Sequence, residues 1–208
     1  MLTLYDFLES GNGYKVRLVL TALGKRFRWV ECNILAGETR TPEFLDKFPN
    51  GRIPAIELED GRVLFESNAI IWYFADGTSL APTDPYERAQ TLQWMFFEQY
   101  SHEPNIAVAR FWRHYVDPIK VDPDQLAAKI KGGEAALQVM DDHLADRAWF
   151  VGERFSIADV ALYAYTHVAE EGGFELRKYP NVRLWLDRVA ERPGHVPITQ
   201  RFDKQGRA

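Results

Sequence analysis

The sequence predicts a small α/β domain with a mixed sheet, followed by an all-α domain. Three observations predict it. Short apolar runs alternate with amphipathic helical stretches in the order βαβ–α–ββα, closing near residue 76. Asp76-Gly-Thr-Ser-Leu-Ala-Pro-Thr-Asp-Pro85 is then rich in turn residues. Beyond it every strong pattern is helical. The domains are therefore expected at 1–77 and 86–208, with 78–85 as the linker.

Taken in order, residues 2–7 form an apolar run that reads as a buried strand. Val16, Val19, Leu20 and Leu23 fall at i, i+3, i+4 and i+7, a helix from about Gly13 to Leu23 with Gly24 in the C′ place. Phe27–Ile34 alternates loosely and reads as a second strand. A short helix follows, with Thr41 as cap, Pro42 at N1 and Glu43 in the first turn. Pro54–Glu59 and Arg62–Phe65 read as strands joined by Asp60-Gly61, the preferred type I′ pair. Ser67 would cap a helix with Ala69, Ile70, Tyr73 and Phe74 on its stripe. Past the linker, residues 86 to about 115 carry Leu92, Met95 and Phe96 on one face. Gln125–Leu144 reads as a helix with Gly132-Gly133 as a weak point or bend. Further helices are expected from Ser156 to about Glu170, with Ile157, Val160, Ala161 and Ala164 inward, and over Asn181–Glu191, stopped by Pro193-Gly194.

Composition narrows the function. The formal net charge of −5 argues against nucleic acid, which asks for a basic face. No apolar run approaches the roughly 18 residues that span a bilayer, and the start lacks the pattern of a signal peptide. Cys32 is the single cysteine, so there is no disulfide framework or C-x-x-C pair, and a reducing cytoplasm suits the chain. The five histidines are scattered, so no metal is expected.

Chemistry is suggested at three places. Ser10-Gly-Asn-Gly-Tyr-Lys-Val16 joins a strand to a helix start, where unpaired N–H groups and the helix dipole favour an anion. In Asn50-Gly-Arg-Ile-Pro54, proline opens a strand. It is either a plain trans proline or a cis turn that leaves the Ile53 N–H and C=O for an extended ligand. In Glu66-Ser67-Asn68, Ser67 is either a plain N-cap beside a solvated Glu66, or part of a grip on a zwitterion. In the grip, Ser67 and the helix start take a carboxylate while Glu66 takes the ammonium. Phe155-Ser-Ile-Ala-Asp159 reads structurally: Ser156 and Asp159 make a capping box, and Phe155 staples onto Val160.

With Ile53-Pro54, Glu66-Ser67, the Phe155–Asp159 motif and the order of elements, the chain resembles the cytosolic glutathione transferases over its full length. The resemblance implies a thioredoxin-like first domain, βαβαββα on a mixed four-stranded sheet, with glutathione as co-substrate. The two redox-cysteine positions of that fold hold Ser10 and Gly13, so the sulfur belongs to the ligand. A helix start and a donor would lower the pKa of that thiol, and its thiolate is the nucleophile. Ser10 matches the catalytic serine of serine-type members. The stretch is also similar to that of nu-class and related fungal proteins, where a threonine and an asparagine approach the sulfur, matching Ser10 and Asn12. These two stay open, beside a purely structural loop; Tyr14 and Tyr5 are weaker alternatives.

The resemblance further implies Arg52, Ile53, Pro54, Glu66 and Ser67 as glutathione-binding residues. Arg52 is placed on the glycine carboxylate, with Arg40 as the weaker candidate. Trp112 and Tyr115 would line the electrophile pocket of the second domain. Cys32 is expected to be a buried, inert thiol. The implied activity is conjugation of the bound thiolate to small apolar electrophiles, with peroxidase or disulfide-reductase chemistry as close variants, in a cytoplasmic homodimer. The competing reading is a non-catalytic module of the same fold that binds glutathione or a protein.

Overall fold

The computed structural model describes residues 1–203, which divide into two compact units. The first comprises Met1–Thr78 and the described residues from Pro193 on; the second is Ser79–Arg192. The break falls within the turn-rich stretch.

In the first unit, four strands form one mixed sheet in the order β2-β1-β3-β4. Central β1 (Thr3–Asp6) runs parallel to β2 (Arg28–Glu31) and antiparallel to β3 (Ala55–Glu57), which pairs antiparallel with β4 (Val63–Phe65). Successive strand residues point to opposite faces, and β1 shows the consequence. Tyr5 packs its ring at 5.1 Å from Phe48 and 6.1 Å from Phe44, beside α2 (Pro42–Lys47) and buried Cys32. Asp6 points the other way, to α1 (Gly11–Ala22), which packs against α3 (Ser67–Ala75). Local signals at α2 and α1 hold: the Phe44 N–H donates to Thr41 Oγ1 at 3.3 Å, and Gly24 follows the helix with φ +62°.

Two local expectations in this unit are corrected. The hairpin is not type I′. Gly61 has φ +83° while Asp60 stays on the ordinary side, and the Gly61 N–H donates to Leu58 O at 3.0 Å. The loop is a longer turn ending on a left-handed glycine. The inward stripe of α3 is Ser67, Ile70, Ile71, Phe74 and Ala75, with Ala69 and Tyr73 exposed. It is rotated because Ser67 belongs to the buried side.

The end of the chain also departs from the expectation that residues 193–208 belong with the helices. Its described part returns to α1. Tyr14 donates its hydroxyl to Val196 O at 2.6 Å, Arg17 Nη1 donates to Ile198 O at 2.7 Å, and Phe202 packs on Phe27 at 5.1 Å. Hydrogen bonds to tail carbonyls leave no periodic trace in sequence.

In the second unit, α4 (Pro85–Phe97) passes through a π-helical turn (Glu98–His102) into α5 (Glu103–Tyr115). The buried side of α4 carries Thr91, Trp94 and Met95, whereas Leu92 and Phe96 are exposed, so the expected face is only partly the inward one. Helix α6 (Pro123–Leu144) runs unbroken through Gly132 and Gly133. These glycines serve close packing: a Cβ at Gly133 would lie 2.4 Å from the Phe174 ring, and one at Gly132 2.7 Å from Asn105 Oδ1. Every residue of α7 (Ile157–Thr166) is buried, and α8 (Pro180–Ala190) turns Val182, Trp185 and Val189 inward. Among the described residues no helix is long and apolar enough to cross a membrane.

The capping box at α7 is formed as expected. Ser156 N–H donates to Asp159 Oδ2 at 2.9 Å, and Ser156 Oγ accepts from Ala158 N–H at 3.2 Å. Asp159 does more than cap: Oδ1 also accepts the Phe150 N–H at 3.2 Å and the Trp185 indole N–H at 3.0 Å.

Candidate functional site

The sheet register explains why the three suggestive stretches meet. Tyr5 stands opposite Ala55, and Ala55 opposite Phe65. One row across β1, β3 and β4 therefore releases the loop to α1, the residues before β3 and the start of α3 at the same edge of the sheet.

At the first of these, Ser10 is the N-cap of α1, with φ −73° and ψ 121°, and its Oγ accepts the Gly13 N–H at 3.3 Å. Glycine is required at 13 because a Cβ there would sit 1.5 Å from Asp6 Oδ1. Asp6 and Arg17 are fully buried and paired, Nε to Oδ2 at 2.9 Å. Arg17 also donates to Leu8 O, tying down the loop that carries Ser10. Burial pushes the Asp6 carboxyl up to about 6, against the downward pull of Arg17 and of the Phe7 N–H, which donates to Oδ1 at 2.7 Å. Both tyrosine alternatives point elsewhere: Tyr14 to the tail, and Tyr5 to Glu57 Oε2 at 3.1 Å on the other face of the sheet.

The start of α3 corrects the capping expectation. Glu66, not Ser67, occupies the N-cap position, and Ser67 is the first helical residue. Glu66 has φ 70° and ψ 110°, the one positive φ outside glycine among the described residues. Such a conformation costs about 1–3 kcal/mol and is concentrated at functional sites. It frees Ser67 from the capping geometry. The Ser67 hydroxyl instead donates to Asn12 Oδ1 at 3.1 Å and accepts from Lys15 Nζ at 3.3 Å. Lys15 Nζ donates to Asn12 Oδ1 at 2.8 Å. Asn12, Lys15 and Ser67 thus form a closed triangle between α1 and α3, with Lys15 fully buried.

Ahead of β3, the Ile53–Pro54 peptide is cis, and no hydrogen bond joins the Ile53 N–H or C=O to another described residue. Asn50 links this loop to α3 through Nδ2, which donates to Glu66 Oε1 at 3.4 Å. It also accepts the Arg52 N–H at 3.4 Å, and Arg40 Nη1 donates to its carbonyl at 3.4 Å. Arg40 therefore buttresses the turn, while the Arg52 side chain is exposed.

The structure accordingly brings Ser10, Asn12, Arg52, Ile53, Pro54, Glu66 and Ser67 to one edge of the first unit. Trp112 and Tyr115 lie on α5 of the second unit, both half-buried. Cys32 is buried, and its thiol is pushed up to about 11 by burial, with nearby Glu38 and Asp6 acting in the same direction. Sequence reasoning missed Lys15 and Asn50 as parts of the site. Lys15 stands one turn after Asn12 on α1, but its burial, like that of Arg17, leaves no mark in the sequence.

Over residues 1–76 the chain matches the family model for the glutathione S-transferase N-terminal domain, and over 105–193 that for the C-terminal domain. A curated relative, the disulfide-bond oxidoreductase YfcG of Escherichia coli, is 31% identical over 203 residues, 93% of this chain and 92% of the relative. Elongation factor 1-gamma of Artemia salina is 33% identical over 190 residues, 88% of this chain; the chain spans only 43% of that relative. A glutathione S-transferase structure from Pseudomonas fluorescens superposes with a TM-score of 0.92 at 49% identity, covering 96% of this chain and 99% of the other. A glutathione transferase family member from Pseudomonas fluorescens, with two glutathione bound, has a TM-score of 0.81 at 28% identity, covering 93% and 89%.

Proposed function

The chain belongs to the glutathione S-transferase family, and from that premise we propose that it is a glutathione-dependent transferase acting on small apolar electrophiles. The observation that carries the reading is the convergence of the α1 start, the open Ile53 backbone and the α3 start at one sheet edge. Each suits one part of glutathione. The Ile53 N–H and C=O pair with the extended peptide. The N–H groups at the start of α3 take the γ-glutamyl carboxylate, and the neighbouring Glu66 takes its ammonium. The Ser67 hydroxyl, whose proton goes to Asn12, contributes through that link. Arg52 serves the glycine carboxylate.

The thiol then lies at the α1 start, where the helix dipole, Ser10 and Asn12 favour the thiolate. The thiolate attacks an electrophilic carbon, a carbon–sulfur bond forms, and the leaving group departs with its electron pair. Trp112 and Tyr115 are the residues proposed to hold the apolar substrate. Disulfide reduction is the second reading, favoured by the similarity to the E. coli oxidoreductase. There the thiolate attacks a disulfide sulfur and displaces the other sulfur as thiolate; a second glutathione completes the exchange and leaves as glutathione disulfide. The similarity to elongation factor 1-gamma keeps a binding module as the rival. We place the enzyme in the cytoplasm as a homodimer, the latter checked by analytical ultracentrifugation.

A panel of an aryl halide, an organic peroxide and a mixed disulfide, run on wild type, Ser10→Ala and Asn12→Ala, tests the reading. Turnover of at least one substrate is expected, with kcat reduced ~10-fold or more, ~1.4 kcal/mol of barrier, in at least one variant. Glutathione binding without turnover of any of the three would favour the module.

A further inference from the structure

We propose that Lys15 is a positioning residue for the sulfur end of this site: it holds the Asn12 amide so that the nitrogen, not the oxygen, is presented to the ligand thiolate. The inference rests on the functional reading above and assigns roles within it. Lys15 follows Asn12 by one turn of α1, at the i,i+3 spacing that lets side chains meet. It is fully buried, with Nζ 2.8 Å from Asn12 Oδ1 and 3.3 Å from Ser67 Oγ. An ammonium carries only donors and no acceptor. The branch of the Asn12 amide facing Lys15 must therefore be the oxygen. The Ser67 hydroxyl, 3.1 Å from the same atom, adds a second donor to it. Turning the amide over would set its N–H groups against a buried ammonium, so the orientation is locked and the nitrogen branch is turned away from Lys15 and Ser67.

This has a chemical consequence. An amide free to turn over serves a thiol and a thiolate alike, since it offers the oxygen to S–H or the nitrogen to S⁻. An amide locked by Lys15 offers only N–H to the sulfur, and so favours the ionised form alone. Ser10 accepts the Gly13 N–H and keeps a hydroxyl that can rotate, so it can serve a thiol or a thiolate and is not held to one of them. The geometry therefore assigns the thiolate-selective donor to Asn12, with Lys15 acting through it. Because the same ammonium touches Ser67, it also ties the sulfur end to the start of α3, where the amino-acid end of the ligand is placed.

The test is ultraviolet titration of the thiolate of protein-bound glutathione in wild type, Lys15→Met, Asn12→Ala, Asn12→Asp and the Lys15→Met/Asn12→Ala double variant. If glutathione bound to wild type titrates like free glutathione, the functional reading itself fails, and Lys15 with it. If wild type depresses the thiol pKa, Lys15→Met is expected to raise the midpoint by about one pH unit, ~10-fold less thiolate below the midpoint. The double variant is then expected to match Asn12→Ala, because the two residues act through one contact. A Lys15→Met variant that titrates like wild type, or effects of the two substitutions that add, overturns the proposal. Asn12→Asp covers the case in which Lys15→Met does not fold. Its carboxylate still accepts from Lys15 and Ser67, so the fold holds, but the nitrogen donor is gone. Because the new carboxylate also opposes the thiolate by its charge, loss of the depression supports the orientation only when Asn12→Ala, which adds no charge, loses it too; an unchanged midpoint in either variant refutes it.

Discussion

Ser67 and Ser156 look alike in sequence. Each precedes an apolar helical stretch, and each reads as an N-cap. In the structure, Ser156 is a cap and Ser67 is not. Ser156 accepts the Ala158 N–H and is locked by Asp159, three residues on, whose carboxylate meets only donors. Ser67 has no acid at the matching position, follows a residue with φ 70°, and turns its hydroxyl to Asn12 and Lys15 on another helix. The first arrangement closes on itself and ties α7 to α8 and the Phe150 loop. The second lies at the edge where the ligand is proposed to bind. A polar group whose bonds return to its own helix is there for stability. One drawn off its helix by a strained neighbour is held in place for something else.

The contrast breaks most sharply at Asp159. Asp159→Ala leaves the N–H groups of Phe150 and Ser156 and the Trp185 indole buried without this acceptor. At about 1–3 kcal/mol for each abandoned donor, the loss is at least ~3 kcal/mol. Chemical denaturation should show that loss, while the folded fraction binds glutathione with wild-type affinity in calorimetry. An affinity loss in well-folded protein would erase the distinction between the two serines.

A pH effect follows from the same residue. Burial raises the Asp159 carboxyl from the usual 3.8 to about 6, while its hydrogen bonds to Ser156, Trp185 and Phe150 pull the other way. The folded state therefore binds this proton more tightly than the unfolded chain. The associated stability is complete below pH 3.8 and is lost as pH rises through 6. At ~1.4 kcal/mol for each pH unit separating the folded and unfolded carboxyl, the effect is at most about 3 kcal/mol. In thermal melts from about pH 7 down to 4, wild type should gain stability relative to Asp159→Asn; a constant difference would place the charged carboxylate as fully compensated.

For Ser67→Ala the effect should appear in function rather than in folding. The substitution removes one of the two donors on Asn12 Oδ1 and one contact of Lys15. A fall of ~10-fold in kcat/KM, ~1.4 kcal/mol, is expected with a melting temperature close to wild type. A variant that melts early and turns over normally would make Ser67 a structural serine like Ser156.

Legibility in the sequence follows the same division. The caps at Thr41 and Ser156, the glycine after α1 and the order of strands are local, and residues a few positions apart suffice to read them. The triangle is not local: Ser67 is 55 residues from Asn12 and 52 from Lys15. No periodicity links those positions, so a serine before a helix reads as a cap, the nearest motif that explains it. The contacts of Tyr14 and Arg17 with the tail are unreadable for the same reason, since those partners are carbonyls 182 and 181 residues on. The Gly132-Gly133 pair misleads because low helix propensity is visible in sequence, whereas the ring of Phe174 against the second glycine is not. Asn12, Ile53-Pro54 and Glu66-Ser67 are singled out through their motifs, and the structure brings them to one edge of the sheet. Lys15 stands inside the first of those motifs and still escapes notice, because a lysine on a helix is ordinarily a solvated charge.

Ser156→Ala should give the smallest effect, and its size separates the cap from the acid beside it. The substitution removes the acceptor for the Ala158 N–H, close to the first turn of α7. Asp159 keeps the N–H groups of Ser156 and Phe150 and the Trp185 indole, because those bonds do not involve the lost hydroxyl. A loss of ~1 kcal/mol is expected, the ordinary cost of an N-cap. In Ser156→Ala/Asp159→Ala the two losses should fall short of additive, since the hydroxyl and the carboxylate also touch each other at 3.2 Å. Denaturant midpoints of the two single variants and the double measure that coupling. Strict additivity would mean that Ser156 caps independently of Asp159, and the box would then be two separate bonds rather than one closed unit.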